Sequence, residues 1–325
     1  MRFGIFNKIG FLTISVILIL CGIRLSAQEV NLRTFNYSRA DSIAIHFPKD
    51  KYKTYKEFIK TLTAKLTTDQ EKFCAIYRWI AENIAYSYSN MSIGADKALN
   101  KRKAVCAGYS SLLMEMCSSV GLECNMITGW AKIDQSCFGN KEPNHAWNEV
   151  KLNGNWYLTD ITWGSGYFDK KRRKYYKDFD TAYFLPTPEF FAMQHLPMDK
   201  SKSLMAKQVS KSKFLKTSVL YEGAAEYGVK PINHRRGCFG HDCKKELTLK
   251  LQMDKEEEGG TAANFDIVID GDGATDYSSN MVQDKKTGKY IFTVETDFPS
   301  YLRGKHCIDI YYGGAPICGY LINFH

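Results

Sequence analysis

The sequence predicts an α+β domain followed by a β-sandwich. Three observations carry this. Helix signatures crowd residues 54–121. An Asn153-Gly154 pair separates two alternating runs. Beyond a Lys- and Ser-rich stretch, short β-rich runs alternate with Gly and acidic turns. At 325 residues the chain is too long for one comfortable core, so two domains are expected.

The first element is an export signal over residues 1–27. Arg2 and Lys8 give a positive start, and Ile9 to Ile23 is a mostly apolar run shorter than a bilayer requires. Leu25-Ser26-Ala27 before Gln28 supplies the cleavage site. Cys21 suggests a lipoprotein as the weaker reading, because Leu20 stands where such signals carry a small residue. The expected destination is periplasmic, cell-surface or secreted, with no transmembrane segment left after cleavage. Of the 10 cysteines, nine remain without Cys21, an odd number in an oxidising compartment that pairs most thiols. Disulfides are therefore expected, with at least one thiol left over.

Residues 28–53 read as a leader of little periodicity. Thr54 with Glu57 is a capping-box pattern, followed by the stripe Phe58, Ile59, Leu62 and Leu66. Thr68 with Glu71 repeats it, followed by Phe73, Ile76, Tyr77, Ile80 and Ile84. A third helix is expected near Cys106, with Leu112, Leu113, Met116 and Val120 buried and Gly121 at its C-terminal end. Cys124 to Ile133 reads as a strand and Asp134 to Asn144 as a loop. His145 to Leu152 and Asn155 to Trp163 read as a hairpin. Phe168 to Thr181 is a charged surface excursion. Residues 201–216 read as a linker between a 54–200 domain and a 217–325 domain. In the latter, Leu247–Met253, Phe265–Ile269, Tyr290–Val294, Cys307–Tyr312 and Cys318–Phe324 read as sandwich strands of Ig-like type.

Charge excludes little. Loss of Arg2, Lys8 and Arg24 with the signal lowers the formal charge from +9 to +6, which is no nucleic-acid footprint. The run Lys170-Lys171-Arg172-Arg173-Lys174 is a solvated loop or a contact for an anionic polymer.

The chemistry lies in the first domain. Cys106 is expected at a helix start behind the basic loop Lys101-Arg102-Lys103, where backbone N–H groups favour a thiolate and can hold an oxyanion. If Asn153-Gly154 is a two-residue turn, paired positions put Leu152 opposite Asn155, Trp147 opposite Asp160 and His145 opposite Thr162. His145, Trp147 and Asp160 then share one sheet face, with the imidazole and carboxylate as diagonal neighbours. A thiol, a base and an acid that holds the base in one tautomer make a nucleophilic site. Each residue alone would more often be structural.

The blocks Ala75-Ile76-Tyr77-Arg78-Trp79-Ile80, Val105-Cys106-Ala107-Gly108-Tyr109, His145-Ala146-Trp147-Asn148 and Trp156-Tyr157-Leu158-Thr159-Asp160-Ile161-Thr162-Trp163-Gly164 resemble the transglutaminase-like superfamily, above all its kyphoscoliosis-peptidase-like branch. The resemblance covers about residues 50–200 and implies a papain-like α+β core with Cys106, His145 and Asp160 as nucleophile, base and acid. It implies a cysteine peptidase or a transglutaminase-type acyltransferase working through a thioester on peptide or glutamine amide bonds. Some members have lost the triad and keep only the fold, so the alternative is a non-catalytic binding or scaffold protein. The substrate is expected to be a protein or peptide, with a cell-envelope polymer as another candidate. No cofactor and no metal are expected. Trp147, Tyr109 and Trp163 are candidate cleft residues, whereas Trp79 reads as core.

Other clusters are weaker. His234, Cys238, His241 and Cys243 could ligate zinc, but the spacing is unlike common fingers, and a Cys238–Cys243 disulfide is the better reading. Cys307 and Cys318 could close another across neighbouring strands. Asp270, Asp272 and Asp276 lack the full calcium-loop pattern.

Overall fold

Helices and a small antiparallel sheet make the first layer pair, and two further sheets make the second. The computed structural model describes residues 36–48, 55–87, 94–135, 141–169, 172–242, 245–255, 264–271 and 277–325. The expected signal, Thr54, Cys137, Lys170, Lys171, Cys243, Asp272 and Asp276 lie outside these residues. Among the described residues no helix is long and apolar enough to cross a membrane.

Helix α1 (Ser38–Ile45) lies within the stretch read as a leader and buries Ala40 and Ala44. α2 (Tyr55–Thr63) buries Phe58, Ile59 and Leu62, as its stripe predicts. α3 (Asp69–Asn83) starts on the expected capping box. The Thr68 side chain accepts from the Glu71 N–H, and the Glu71 carboxylate accepts from the Thr68 N–H. Such a cap is worth about 1 kcal/mol. Phe73, Ile76, Tyr77, Trp79 and Ile80 are fully buried along α3, and Trp79 packs edge-on against Phe58. Strand β1 (Ala85–Tyr86), helix α4 (Ala95–Lys101) and strand β2 (Lys103–Ala104) follow, β1 and β2 pairing in parallel.

α5 (Cys106–Ser118) leaves β2 through extended Val105. Leu112, Leu113 and Met116 are fully buried on it. Gly121 takes φ +81° just past its end, the left-handed conformation a glycine adopts without strain. β3 (Cys124–Ala131), β4 (His145–Leu152), β5 (Asn155–Thr159) and, later, β8 (His195–Pro197) form one antiparallel sheet in the order β5-β4-β3-β8. Asn153 and Gly154 both have positive φ, +51° and +83°, as a type I′ hairpin turn requires.

The expected register holds from Leu152↔Asn155 to Asn148↔Thr159. The second strand, however, ends at Thr159 and not at Trp163. Asp160 turns its N–H to the Tyr183 carbonyl, and residues Trp163–Ser165 form a 3-10 turn. Trp147 and His145 therefore have no ladder partners at Asp160 and Thr162; they face Ile127 and Gly129 of β3. A carboxylate that caps its own following N–H groups competes with strand continuation.

The charged excursion is a hairpin, β6 (Gly166–Asp169) with β7 (Lys174–Lys177). α6 (Pro188–Gln194) then leads into β8. In the Lys- and Ser-rich stretch, residues Lys200–Ser203 form a 3-10 turn. α7 (Lys211–Phe214) places Phe214, only 1% exposed, beneath the Lys132 ammonium.

Beyond it run β9 (Val219–Leu220), α8 (Glu222–Tyr227), β10 (Lys230–Pro231), β11 (Cys238–His241), β12 (Leu247–Met253), β13 (Phe265–Ile269), β14 (Tyr277–Gln283), β15 (Tyr290–Thr296), β16 (Gly304–Tyr312) and β17 (Ala315–Phe324). One sheet has the order β10-β12-β15-β14, the other β11-β17-β16-β13 with β9 also on β17. Leu247, Leu249, Leu251 and Met253 alternate inward from the first sheet, and Ile308, Ile310 and Tyr312 from the second. They share one core in which Phe292 stacks on Phe265. This is a sandwich, as the period-2 runs predict. β14 escapes the sequence reading because Tyr-Ser-Ser-Asn-Met-Val-Gln is an edge strand with little buried surface.

The expected Cys307–Cys318 disulfide is absent. The register sets Cys307 opposite Leu321 and Cys318 opposite Ile310, and both thiols are free. Half-cystines must lie within about 7 Å of each other at Cα, and these are three ladder steps out of line. Cys238 is also free and exposed. Among the described residues there is no disulfide.

Candidate active site

Cys106 opens α5, with no side-chain cap on that helix. The Gly108 and Tyr109 N–H groups both turn to the Val105 carbonyl, which leaves the N–H groups of Cys106 and Ala107 uncommitted to the helix ladder. The sulfur is free and partly exposed. The His145 imidazole and the Ala146 N–H, at the start of β4, are the groups that act on it to favour the thiolate. β4 is locked to α5 one turn on: the Asn148 amide donates to the Ser110 carbonyl at 3.0 Å.

His145 Nε2 lies 2.6 Å from Asp160 Oδ2, leaving Nδ1 for the sulfur. The side chain is 8% exposed, and the Asp160 carboxylate is fully buried. Oδ1 accepts from the N–H groups of Thr162 at 2.9 Å and Trp163 at 3.1 Å. The Asp160 carbonyl accepts from the Tyr77 hydroxyl on α3 at 3.0 Å. The carboxylate thus sits in a turn that β5 delivers and α3 braces.

A second imidazole completes the group. His195 Nε2 on β8 donates to the same Oδ2 at 3.0 Å. Its ring is fully buried and stacks on Phe191 with centroids 3.9 Å apart. Its Nδ1 makes no hydrogen bond. Burial, with the His145 charge, pushes the His195 pKa down to about 4, outweighing the Asp160 hydrogen bond and charge that favour a cationic ring. The neutral Nε2–H tautomer follows, a donor to Asp160.

Electrostatics separate the three titrating groups. Burial raises the Asp160 carboxyl, but the His145 charge and hydrogen bond, with that of His195, hold it well below the usual carboxylate range. Burial lowers His145, but Asp160 outweighs it and raises the imidazole to about 10. Burial raises the Cys106 thiol, yet the His145 hydrogen bond and charge, with the Ala146 N–H, bring it below its ordinary value. The proton therefore belongs on the imidazole, and the sulfur is poised as a thiolate.

His145, Asp160 and His195 bring three ligand-type atoms within 4.8 Å of one another. Two ligands of one tetrahedral zinc, each about 2.0–2.1 Å from the metal, stand roughly 3.3 Å apart. The 2.6 and 3.0 Å separations are hydrogen bonds, and the trio shares protons.

The expected cleft residues fall unequally. Trp163 is half-buried and stacks on His145 at 5.2 Å. Trp147 is 1% exposed and stacks behind His145, and Tyr109 is fully buried with its hydroxyl on the Ile84 carbonyl. Neither presents a surface to substrate. His195 was not legible beforehand: Gln194-His195-Leu196 reads as any histidine among apolar neighbours, and only the β3–β8 pairing brings it to Asp160.

A thiol at a helix start, facing an imidazole held by a buried carboxylate on an α+β core, defines the class as a thiol-enzyme fold. A sequence profile described as the transglutaminase-like superfamily matches residues 56–161. The chain is 29% identical over 224 residues to human kyphoscoliosis peptidase, covering 62% of this chain and 34% of that protein. It is 24% identical over 207 residues to Hillarin of Drosophila melanogaster, covering 58% of this chain and 25% of that one. A solved structure titled as that of a TGase is similar at a TM-score of 0.27 with 18% identity, over 42% of this chain and 35% of the other. Residues 56–161 thus match the transglutaminase-like superfamily, and the chain is similar to the kyphoscoliosis peptidases. The chain spans about a third of the length of the human relative.

Proposed function

We propose that this chain is an exported thiol enzyme that cleaves or transfers acyl groups from peptide or glutamine amides. The observation that carries the reading is His145 Nε2 lying 2.6 Å from buried Asp160, on an imidazole that lowers the Cys106 thiol. The Cys106 thiolate attacks the amide carbonyl, forming the C–S bond. The oxyanion collects at the N–H groups that open α5. The tetrahedral intermediate collapses with loss of the amine, which takes the proton from His145, and a thioester remains. Water then attacks with His145 as base, giving the acid and the free thiol; an amine in place of water gives transamidation.

In this reading Asp160 keeps His145 in the productive tautomer and stabilises its cationic form, and His195 keeps Asp160 ionised and turned. Residues 1–27 are removed on export. The sandwich from residue 217 onward, with 201–216 as the connection, presents the 54–200 domain to a protein or envelope partner.

The test is mass spectrometry of a glutamine-containing peptide library with an amine donor. Cleavage, deamidation or amine incorporation by the purified protein, abolished by Cys106→Ala, is the expected result. Product formation that survives C106A would end the thiol mechanism.

A further inference from the structure

A concavity of about 270 Å³ lies where α6 and α7 meet β10, away from Cys106. Glu189, Ala192 and Met193 occupy one face of α6 at helical spacing, opposite the face that carries Phe191 to His195. Phe214 and Leu220 form its buried floor. The polar atoms of that floor are already engaged. Thr217 Oγ1 donates to the Phe214 carbonyl at 2.9 Å and accepts from Lys132 Nζ at 2.6 Å, and the Ser218 carbonyl accepts from the same ammonium at 2.9 Å. A guest in the floor meets hydrocarbon without free hydrogen-bond partners, so a polar guest would lose its hydration uncompensated.

The rim is the reverse. Lys213, Lys230 and Arg235 are exposed around the opening, against one acid, Glu189. None of the three cations makes an ion pair among the described residues. Arg235 spends only its Nε–H on the Ile232 carbonyl at 3.1 Å, leaving its terminal N–H groups for a guest. Apolar depth under a cationic mouth complements a molecule with a hydrocarbon body and an anionic head. The volume suits one narrow chain, and Glu189 at the mouth disfavours a doubly charged head over a singly charged one.

We propose that this cleft binds a single-chain amphipathic carboxylate, its tail on Met193, Phe214 and Leu220 and its head among Lys213, Lys230 and Arg235. The site is independent of the thiol chemistry. The test is calorimetric titration of the whole chain with decanoate, 1-decanol, decyltrimethylammonium and decyl phosphate, each below its micelle concentration. Decanoate is expected to bind at one site, at least tenfold more tightly than decanol, with no binding of the cation. The double variant Lys230→Glu/Arg235→Glu changes exposed side chains only. It should weaken decanoate tenfold or more and leave decanol unchanged, with an unaltered thermal transition as the control for folding. Four results would each overturn the assignment: no decanoate binding, equal binding of the cation, binding of decyl phosphate alone, or decanoate binding unmoved by the double variant.

Discussion

Nε2 of His195 lies 3.0 Å from Oδ2 of Asp160, the same oxygen that His145 approaches to 2.6 Å. One buried carboxylate oxygen thus serves two imidazoles of opposite character. His145 is held cationic and His195 neutral, because Asp160 can compensate one positive charge, and burial together with the nearby His145 charge disfavours a second on His195.

The first prediction concerns the sulfur. Alkylation of Cys106 by iodoacetamide should stay fast below the ordinary thiol range of about 8.5. In His145→Ala, which removes the hydrogen bond and charge that lower the thiol, the limb should move up towards or above that range. The pH–rate profile of labelling, read by mass spectrometry, checks this; identical profiles would refute the ion pair.

Asp160→Asn keeps the shape and removes the charge. Turnover of an amide substrate should fall steeply, by up to about 10⁴-fold, the size of the analogous change in a serine-protease triad. His145 should also titrate lower than about 10, measurable by NMR of the ring protons.

His195→Phe removes one donor from Asp160 while keeping the stack on Phe191. A hydrogen bond to a charged group is worth about 1.5–3 kcal/mol, so amide turnover should fall roughly 10–100-fold. His195→Gln, which retains a donor, should recover part of it. Iodoacetamide labelling should change little in either variant, since His145 still lowers the thiol; a parallel loss of labelling would point to general damage.

Stability should depend on pH through the same ring. A neutral, buried His195 with its pKa at about 4 resists the proton that the unfolded chain takes up below about 6.5. The unfolded state therefore binds more protons between these values, and stability falls as pH drops from 6.5 towards 4, by on the order of 3 kcal/mol. His145 acts in the opposite window: its stabilisation is complete below 6.5 and is lost as pH rises towards about 10. Urea midpoints at pH 7, 5.5 and 4.5 should fall less steeply with pH for His195→Phe than for the native chain.

Gly164→Ala tests the brace on Asp160. A Cβ there would be built into the Tyr77 hydroxyl, which donates to the Asp160 carbonyl. Overpacking of this kind costs about 1–3 kcal/mol, and the displaced turn should slow amide turnover as well. A thermal melt beside a turnover assay measures both.

Local rules made much of this molecule readable. The Thr68–Glu71 box, the Asn153-Gly154 turn and the alternating runs from Leu247 onward act between near neighbours, and the structure follows them. The register from that turn brought His145 towards Asp160, although the strand ends one residue before the acid. The Cys307–Cys318 disulfide failed because spacing along strands says nothing about which rungs face each other.

What the sequence determined by itself was the local frame: a cysteine at a helix start, and a histidine and an aspartate on either side of one tight hairpin turn. What the tertiary structure alone decided was the company Asp160 keeps. His195, 35 residues away, reaches it through the pairing of β8 with β3, and Tyr77, 83 residues away, through the packing of α3. Side chains so far apart in the chain meet only when buried apolar surface pulls whole elements together, and that burial also sets their charges.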